Sequence, residues 1–98
     1  MKIVINRCYG GFSIPEQYLE QLNLRSEYSY IERTDPRLIS LVEEHGGTLE
    51  KIKHGPARLT IVEIPDEATD YEICENDGFE TIICVLDGKL HHIPGTNK

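Results

Sequence analysis

The residues best suited to chemistry form the stretch Arg7-Cys8-Tyr9-Gly10-Gly11-Phe12-Ser13, directly behind an apolar run. If a helix starts at Ser13, its first N–H groups carry a partial positive charge and can hold a phosphate or carboxylate. Gly10 and Gly11 would let backbone approach a ligand closely, and Arg7 would add a charge-assisted fork. Tyr9 and Phe12 are placed to stack on a ring. The combination suits an anionic, nucleotide-like small molecule. A plainer reading competes with it, because two glycines in a strand-to-helix turn need no ligand. A phosphatase loop of the C-x5-R type is excluded, since Ile14 stands where its arginine would fall. A P-loop is excluded too, for no G-K-[ST] follows the glycines.

A second constellation comes from pairing the C-terminal strands. A three-residue loop at 76–78 sets Glu75 opposite Phe79, and so Asp70 opposite Cys84. A two-residue Asp87-Gly88 turn sets Cys84 opposite His91. Asp70, Cys84 and His91 would then share one sheet face, the raw material of a thiol nucleophile or a partial metal site. Chance places such neighbours easily on a sheet, and a flat surface offers no oxyanion hole. A structural zinc wants four ligands at motif spacing, so no metal and no other cofactor is expected. On this register Tyr71, Ile73, Phe79, Thr81, Ile83, Val85 and Leu90 face the core. The half-apolar opposite face awaits a second layer or another subunit.

The elements that must position these residues follow from patterning. Residues 2–8 begin with three β-branched side chains and read as a strand at a central position in a sheet. Ser13 and Glu16 form a capping box with Pro15 in the first turn, which predicts a helix over 14–22. Residues 28–32 are a short strand or an extended linker. Asp35 and Pro36 start a second helix, with Leu38, Ile39, Leu41 and Val42 as its core stripe and Gly46 or Gly47 as its end. From Leu49 onward the chain reads as β, with strands over 57–64, 71–75, 79–85 and 89–93 and a turn at His54-Gly55-Pro56. The tail, 94–98, is polar and expected to fray. The sum is an α+β single domain over residues 1–98: a mostly antiparallel sheet of about five strands with two helices packed on one face.

Composition excludes more than it assigns. A chain of 98 residues has one core and much wet surface, so a ligand would sit in a groove or at a seam between subunits, which favours a homo-oligomer. Ten Lys and Arg against 17 Asp and Glu leave a formal charge of −7. That balance argues against nucleic acid and against anionic membranes. The acids are spread along the chain and read as a solubilising surface. No apolar stretch approaches the ~20 residues of a membrane span. Three cysteines at no paired spacing, behind an N-terminus unlike a signal peptide, fit a reduced cytoplasm.

The opening K-I-V-I-N-R-C-Y-G-G-F-S resembles that of a group of short, uncharacterised bacterial and phage proteins. Later stretches are similar as well: Asp35 to Ile39, Leu59 to Asp66 and Asp77 to Glu80. The final hairpin departs from that pattern. The resemblance implies a small cytoplasmic accessory protein of phage or prophage context. Such proteins act by sequestering a host signal molecule or by blocking a host protein. The expectation is therefore a non-enzymatic binder of an anionic, nucleotide-like ligand at residues 7–13, with a protein-interaction module using an acidic or half-apolar surface as the alternative. A thiol enzyme on Asp70, Cys84 and His91 is the third reading.

Overall fold

The computed structural model describes residues 1–53 and 55–93, so His54 and the expected fray of 94–98 lie outside it. Strand β1 (Lys2–Asn6) leads through a loop to a single 3₁₀ turn (Glu16–Tyr18), then to helix α1 (Pro36–Glu44). Five strands follow: β2 (Thr48–Lys51), β3 (Ala57–Glu63), β4 (Asp70–Asn76), β5 (Phe79–Leu86) and β6 (Lys89–Ile93). They form two antiparallel three-stranded sheets, β1-β3-β2 (sheet A) and β4-β5-β6 (sheet B). The class is α+β, but the expected single sheet of about five strands with two helices is corrected to six strands in two sheets and one helix.

The β-branched start of β1 explains the division. Val4 joins a core with Ile14, Leu22, Leu38, Leu41, Val42 and Leu59, between sheet A and α1. Ile3 and Ile5 join Ile64, Ile82 and Cys84 in a second core, between the other face of sheet A and sheet B. The strand is apolar on both faces because a different layer meets each face. It lies at the edge of sheet A, and its free side is closed without a strand: the Val4 N–H donates to the Arg33 carbonyl (2.9 Å) and the Asn6 N–H to Glu80 Oε1 (2.7 Å). An exposed edge is thereby avoided.

The helix expected over 14–22 does not form. Ser13 is buried, and its hydroxyl accepts from the Lys51 ammonium (2.9 Å) instead of capping. Pro15 stays extended at ψ 138°, and the Ile14 N–H donates to Glu27 O (2.9 Å). Turns carry the chain onward, with Ile14 and Leu22 sunk in the first core. Residues 28–32 make no strand either. Local capping lost here to burial of the apolar side chains.

Helix α1 matches its signals. Asp35 accepts from the Arg37 N–H (2.8 Å), Pro36 occupies the first turn, and Gly46 and Gly47 (φ +82° and +95°) end it. Among the described residues no helix is long and apolar enough to cross a membrane.

The hydrogen bonds from the Arg37 side chain and N–H hold the Asp35 carboxyl below its ordinary range. A group depressed in the folded state stabilises above its unfolded pKa and loses that contribution as pH falls. Asp35→Ala is expected to cost about 1 kcal/mol at neutral pH, and Asp35→Asn less, since asparagine also caps. The gap between wild type and Asp35→Asn should close below about pH 4, where an ordinary aspartate protonates. Urea unfolding at pH 7 and pH 3 reads both; a gap undiminished at pH 3 would exclude the carboxylate as its source.

Candidate functional site

Residues 7–13 separate into different environments. Arg7 Nη1 donates to Glu80 O (2.9 Å), and its guanidinium lies 4.3 Å from the centre of the Phe79 ring. Partial burial pushes the Arg7 pKa down. Tyr9, 64% exposed, packs at a tilt against the same Phe79 ring, with centroids 5.0 Å apart. Phe12 lies under the Arg33 guanidinium at 3.7 Å. Ser13 faces Lys51. Arg7 and Tyr9 are thus brought together on Phe79, while Phe12 and Ser13 point elsewhere.

The glycines do permit a close approach, but to the protein's own backbone. The Gly10 N–H donates to Asp77 O (3.3 Å). A Cβ on Gly10 would sit 2.6 Å from Pro56 O, and one on Gly78 would overlap the backbone nitrogens of Gly11 and Gly10. The loop is packed on the β4–β5 turn. With no helix at Ser13 and the Gly10 amide donating to Asp77 O, Gly10 and Gly78 meet in a chain-on-chain contact.

The turn itself changes the second constellation. Asp77 (φ +54°) and Gly78 (φ +88°) form a two-residue hairpin loop, so Asn76 pairs with Phe79. Each β4 residue moves one place from the expected register: Tyr71, not Asp70, lies opposite Cys84, while Asp70 lies opposite Val85. Cys84 does face His91. Cys84 is 0% exposed among Ile3, Ile5, Ile64 and Ile82, so no nucleophile is presented there. Among the described residues no grouping of His, Cys, Asp and Glu could hold a metal ion.

The faces of β5 and β6 are likewise exchanged, while Ile73 on β4 packs on the core side as expected. Glu80, Ile82 and Cys84 point inward, and Phe79, Thr81, Ile83 and Val85 form an outer ridge along β5. Asp70, Glu72, Cys74 and Asn76 flank it on β4, and Leu90 and His92 on β6. Leu90 is 68% exposed. At the Tyr9 end a depression of about 220 Å³ opens between Tyr9, Phe79, Cys74, Glu75, Asn76 and Thr81. Arg7 and Tyr9 cover the Phe79 end of this face. Residues 59–88 hold nine of the 17 acids and no lysine, arginine or histidine. The Asp-Gly pair at 77–78, the twin of 87–88, was the signal that could have set this register.

Comparisons of the chain with protein-family models, with curated proteins and with solved structures find no match.

Two outcomes test this geometry. Gly78→Ala and Gly10→Ala should each destabilise by more than about 2 kcal/mol, Gly78→Ala the most, whereas Gly11→Ala meets open space and should cost about 1–2 kcal/mol through its positive φ alone. Thermal unfolding resolves the order, at roughly 4–8 °C per kcal/mol for this size; equal losses at 10, 11 and 78 would contradict the packed loop. Under native conditions iodoacetamide should label the half-buried Cys8 and Cys74 first, and Cys84 only on unfolding. Mass spectrometry showing Cys84 alkylated at the rate of the other two would refute the inward-facing register.

Proposed function

We propose that the protein is a non-enzymatic interaction module whose working surface is the outer face of sheet B, and that this face docks on a protein bearing a basic, partly apolar surface. One observation carries the reading: Arg7 and Tyr9 close the Phe79 end of the ridge, and beyond them Ile83, Val85 and the exposed Leu90 continue it along the outer face. An antiparallel sheet can leave one face to water, but such a face is ordinarily polar along the strand. A contiguous apolar ridge with a polar rim is what a protein interface looks like. The partner's charge follows from the rim. Asp70 and Glu72 border the ridge, β4 and β5 hold no lysine or arginine, and Arg7 lies at the Phe79 end, so away from that end a cationic surface would be steered to the ridge and an acidic one repelled. A second copy brings the same negative excess to both sides and is the poorer occupant.

Capture of a nucleotide-like anion by residues 7–13 draws little support from this geometry, because the Gly10 amide and the Ser13 hydroxyl already have partners. The interaction reading accords with the blocking role that the opening motif's resemblance implies.

Affinity capture with four proteins tests the proposal: wild type, Ile83→Asp and Glu72→Lys on the ridge and rim, and Ile52→Asp on a distant exposed residue. Wild type and Ile52→Asp should retain one stoichiometric basic protein, lost by about tenfold in affinity in the two sheet B variants and weakened by salt. Retention of that partner by Ile83→Asp, or light scattering that shows a dimer dissolved by Ile83→Asp, would overturn it.

A further inference from the structure

The outer face of sheet B has a shape and a charge pattern that narrow what can cover it. Its apolar part is a single row. Beyond the end closed by Arg7 and Tyr9, the row Thr81, Ile83 and Val85 runs for about 14 Å along β5. Leu90, opposite Val85 on β6, widens its far end. The two borders differ. On the β4 side Asp70 and Glu72 stand opposite Val85 and Ile83, and among the described residues neither makes an ion pair. On the β6 side stand Leu90 and His92, and Lys89 alternates onto the opposite face. The negative excess is therefore unpaired and one-sided.

A chain that docks on a sheet face finds no backbone groups to pair with, because those of β5 are spent on β4 and β6. The occupant must satisfy its own N–H and C=O groups. A lone extended segment cannot, and over an apolar row its unpaired groups would be stripped of water. A second sheet can, but it needs a broad apolar face opposite, and here the β4 side is acidic. An α-helix satisfies itself and presents one apolar stripe, and about nine residues, two and a half turns, span 14 Å. The other end of the stack already shows this packing: Leu38, Leu41 and Val42 of α1 share a core with Val4 and Leu59 of sheet A.

We propose that sheet B receives an amphipathic helix of the partner, laid along β5 with its apolar stripe on Ile83, Val85 and Leu90 and a border of lysine or arginine against Asp70 and Glu72. Tyr9 and Arg7 form the wall at which the helix stops. The proposal rests on the interaction reading above and goes beyond it by naming the element that docks.

Titration of the ¹⁵N-labelled full chain with two acetylated, amidated peptides of about 18 residues tests it, a length at which an isolated helix can form. One carries leucines at i, i+4, i+7 and i+11 with lysines along one border. The other has the same composition with the leucines at alternate positions. The helix-patterned peptide should bind saturably, shift the amides of Glu72, Ile83, Val85 and Leu90, and gain helicity by circular dichroism. The alternating peptide should bind about tenfold more weakly. Ile83→Asp and Leu90→Asp should each weaken the helical peptide about tenfold. Glu72→Lys should weaken it roughly fivefold, and a peptide with glutamate for lysine should prefer Glu72→Lys to wild type. Failure of the helix-patterned peptide to bind, equal binding of the two patterns, or shifts away from sheet B would overturn the proposal. If affinity capture still yields a basic protein that Ile83→Asp loses, the interaction surface stands and only the helix falls. If Ile83→Asp keeps that protein, both fall.

Discussion

The arrangement depends on the carboxylate of Glu80. Its side chain is 6% exposed, and it is held from three directions: by Arg33 Nη1 and Nη2 at 2.6 and 2.9 Å, and by the Asn6 N–H at 2.7 Å. The carboxylate and its two partners come from three parts of the chain: β5, the end of β1 and the segment before α1. A two-pronged guanidinium contact is directional, so it sets the angle at which sheet B meets β1 as well as the distance. Burying such a charge is costly unless every lone pair is used, and removing one partner would leave the others unpaired in a dry place. Arg33 extends the tie by covering the Phe12 ring and reaching the Val4 carbonyl (3.4 Å). Asn6 completes it, donating to the carbonyls of Cys8 and Gly78 and accepting from the Arg58 N–H. The glycine loop is thus the outer wrapping of a polar knot between two sheets.

That knot also explains what the sequence made legible and what it hid. Helix α1 was readable because its signals are local: Asp35, Pro36 and the glycines act within a turn of themselves. The 14–22 segment carries equally good local signals, yet Ser13 was already engaged with Lys51, a residue far along the chain, and Ile14 and Leu22 were drawn into the first core. A long-range partner for a capping hydroxyl leaves no trace in a capping box. In the same way an inward-facing Glu80 reads as a surface residue until Arg33 is placed beside it. Assigning Glu80 outward exchanges every face of β5, because side chains alternate with period two.

The glycine motif shows the same division in finer detail. Gly10 was read as a site of close backbone approach, and it is one, but the approaching atom is Pro56 O and the neighbouring turn is Asp77-Gly78. Positive φ and a missing Cβ record that something comes near, not what it is. Arg7 and Tyr9 were read as ligand contacts because cation and aromatic groups recur at such sites. Their shared partner is Phe79, brought in from the hairpin. The residue types were informative about chemistry, and the partner lay beyond the reach of spacing.

The missing helix finally accounts for the open face. Three layers stack in order, α1, sheet A and sheet B, and the first two interfaces take up nearly all the large aliphatic side chains. Had the 14–22 segment formed a helix able to cross the stack, it would have been the natural cover for sheet B. Instead Ile14, Leu22 and their neighbours Phe12, Tyr18 and Leu19 pack on the side that α1 already closes. One end of the stack is therefore covered twice and the other only at its Phe79 end, by Arg7 and Tyr9. The chain still places Phe79, Ile83, Val85 and Leu90 on the open end, although a purely structural sheet would gain solubility from polar residues there. On the proposed function, this apolar ridge with acids along its border is the surface that a partner from outside would cover.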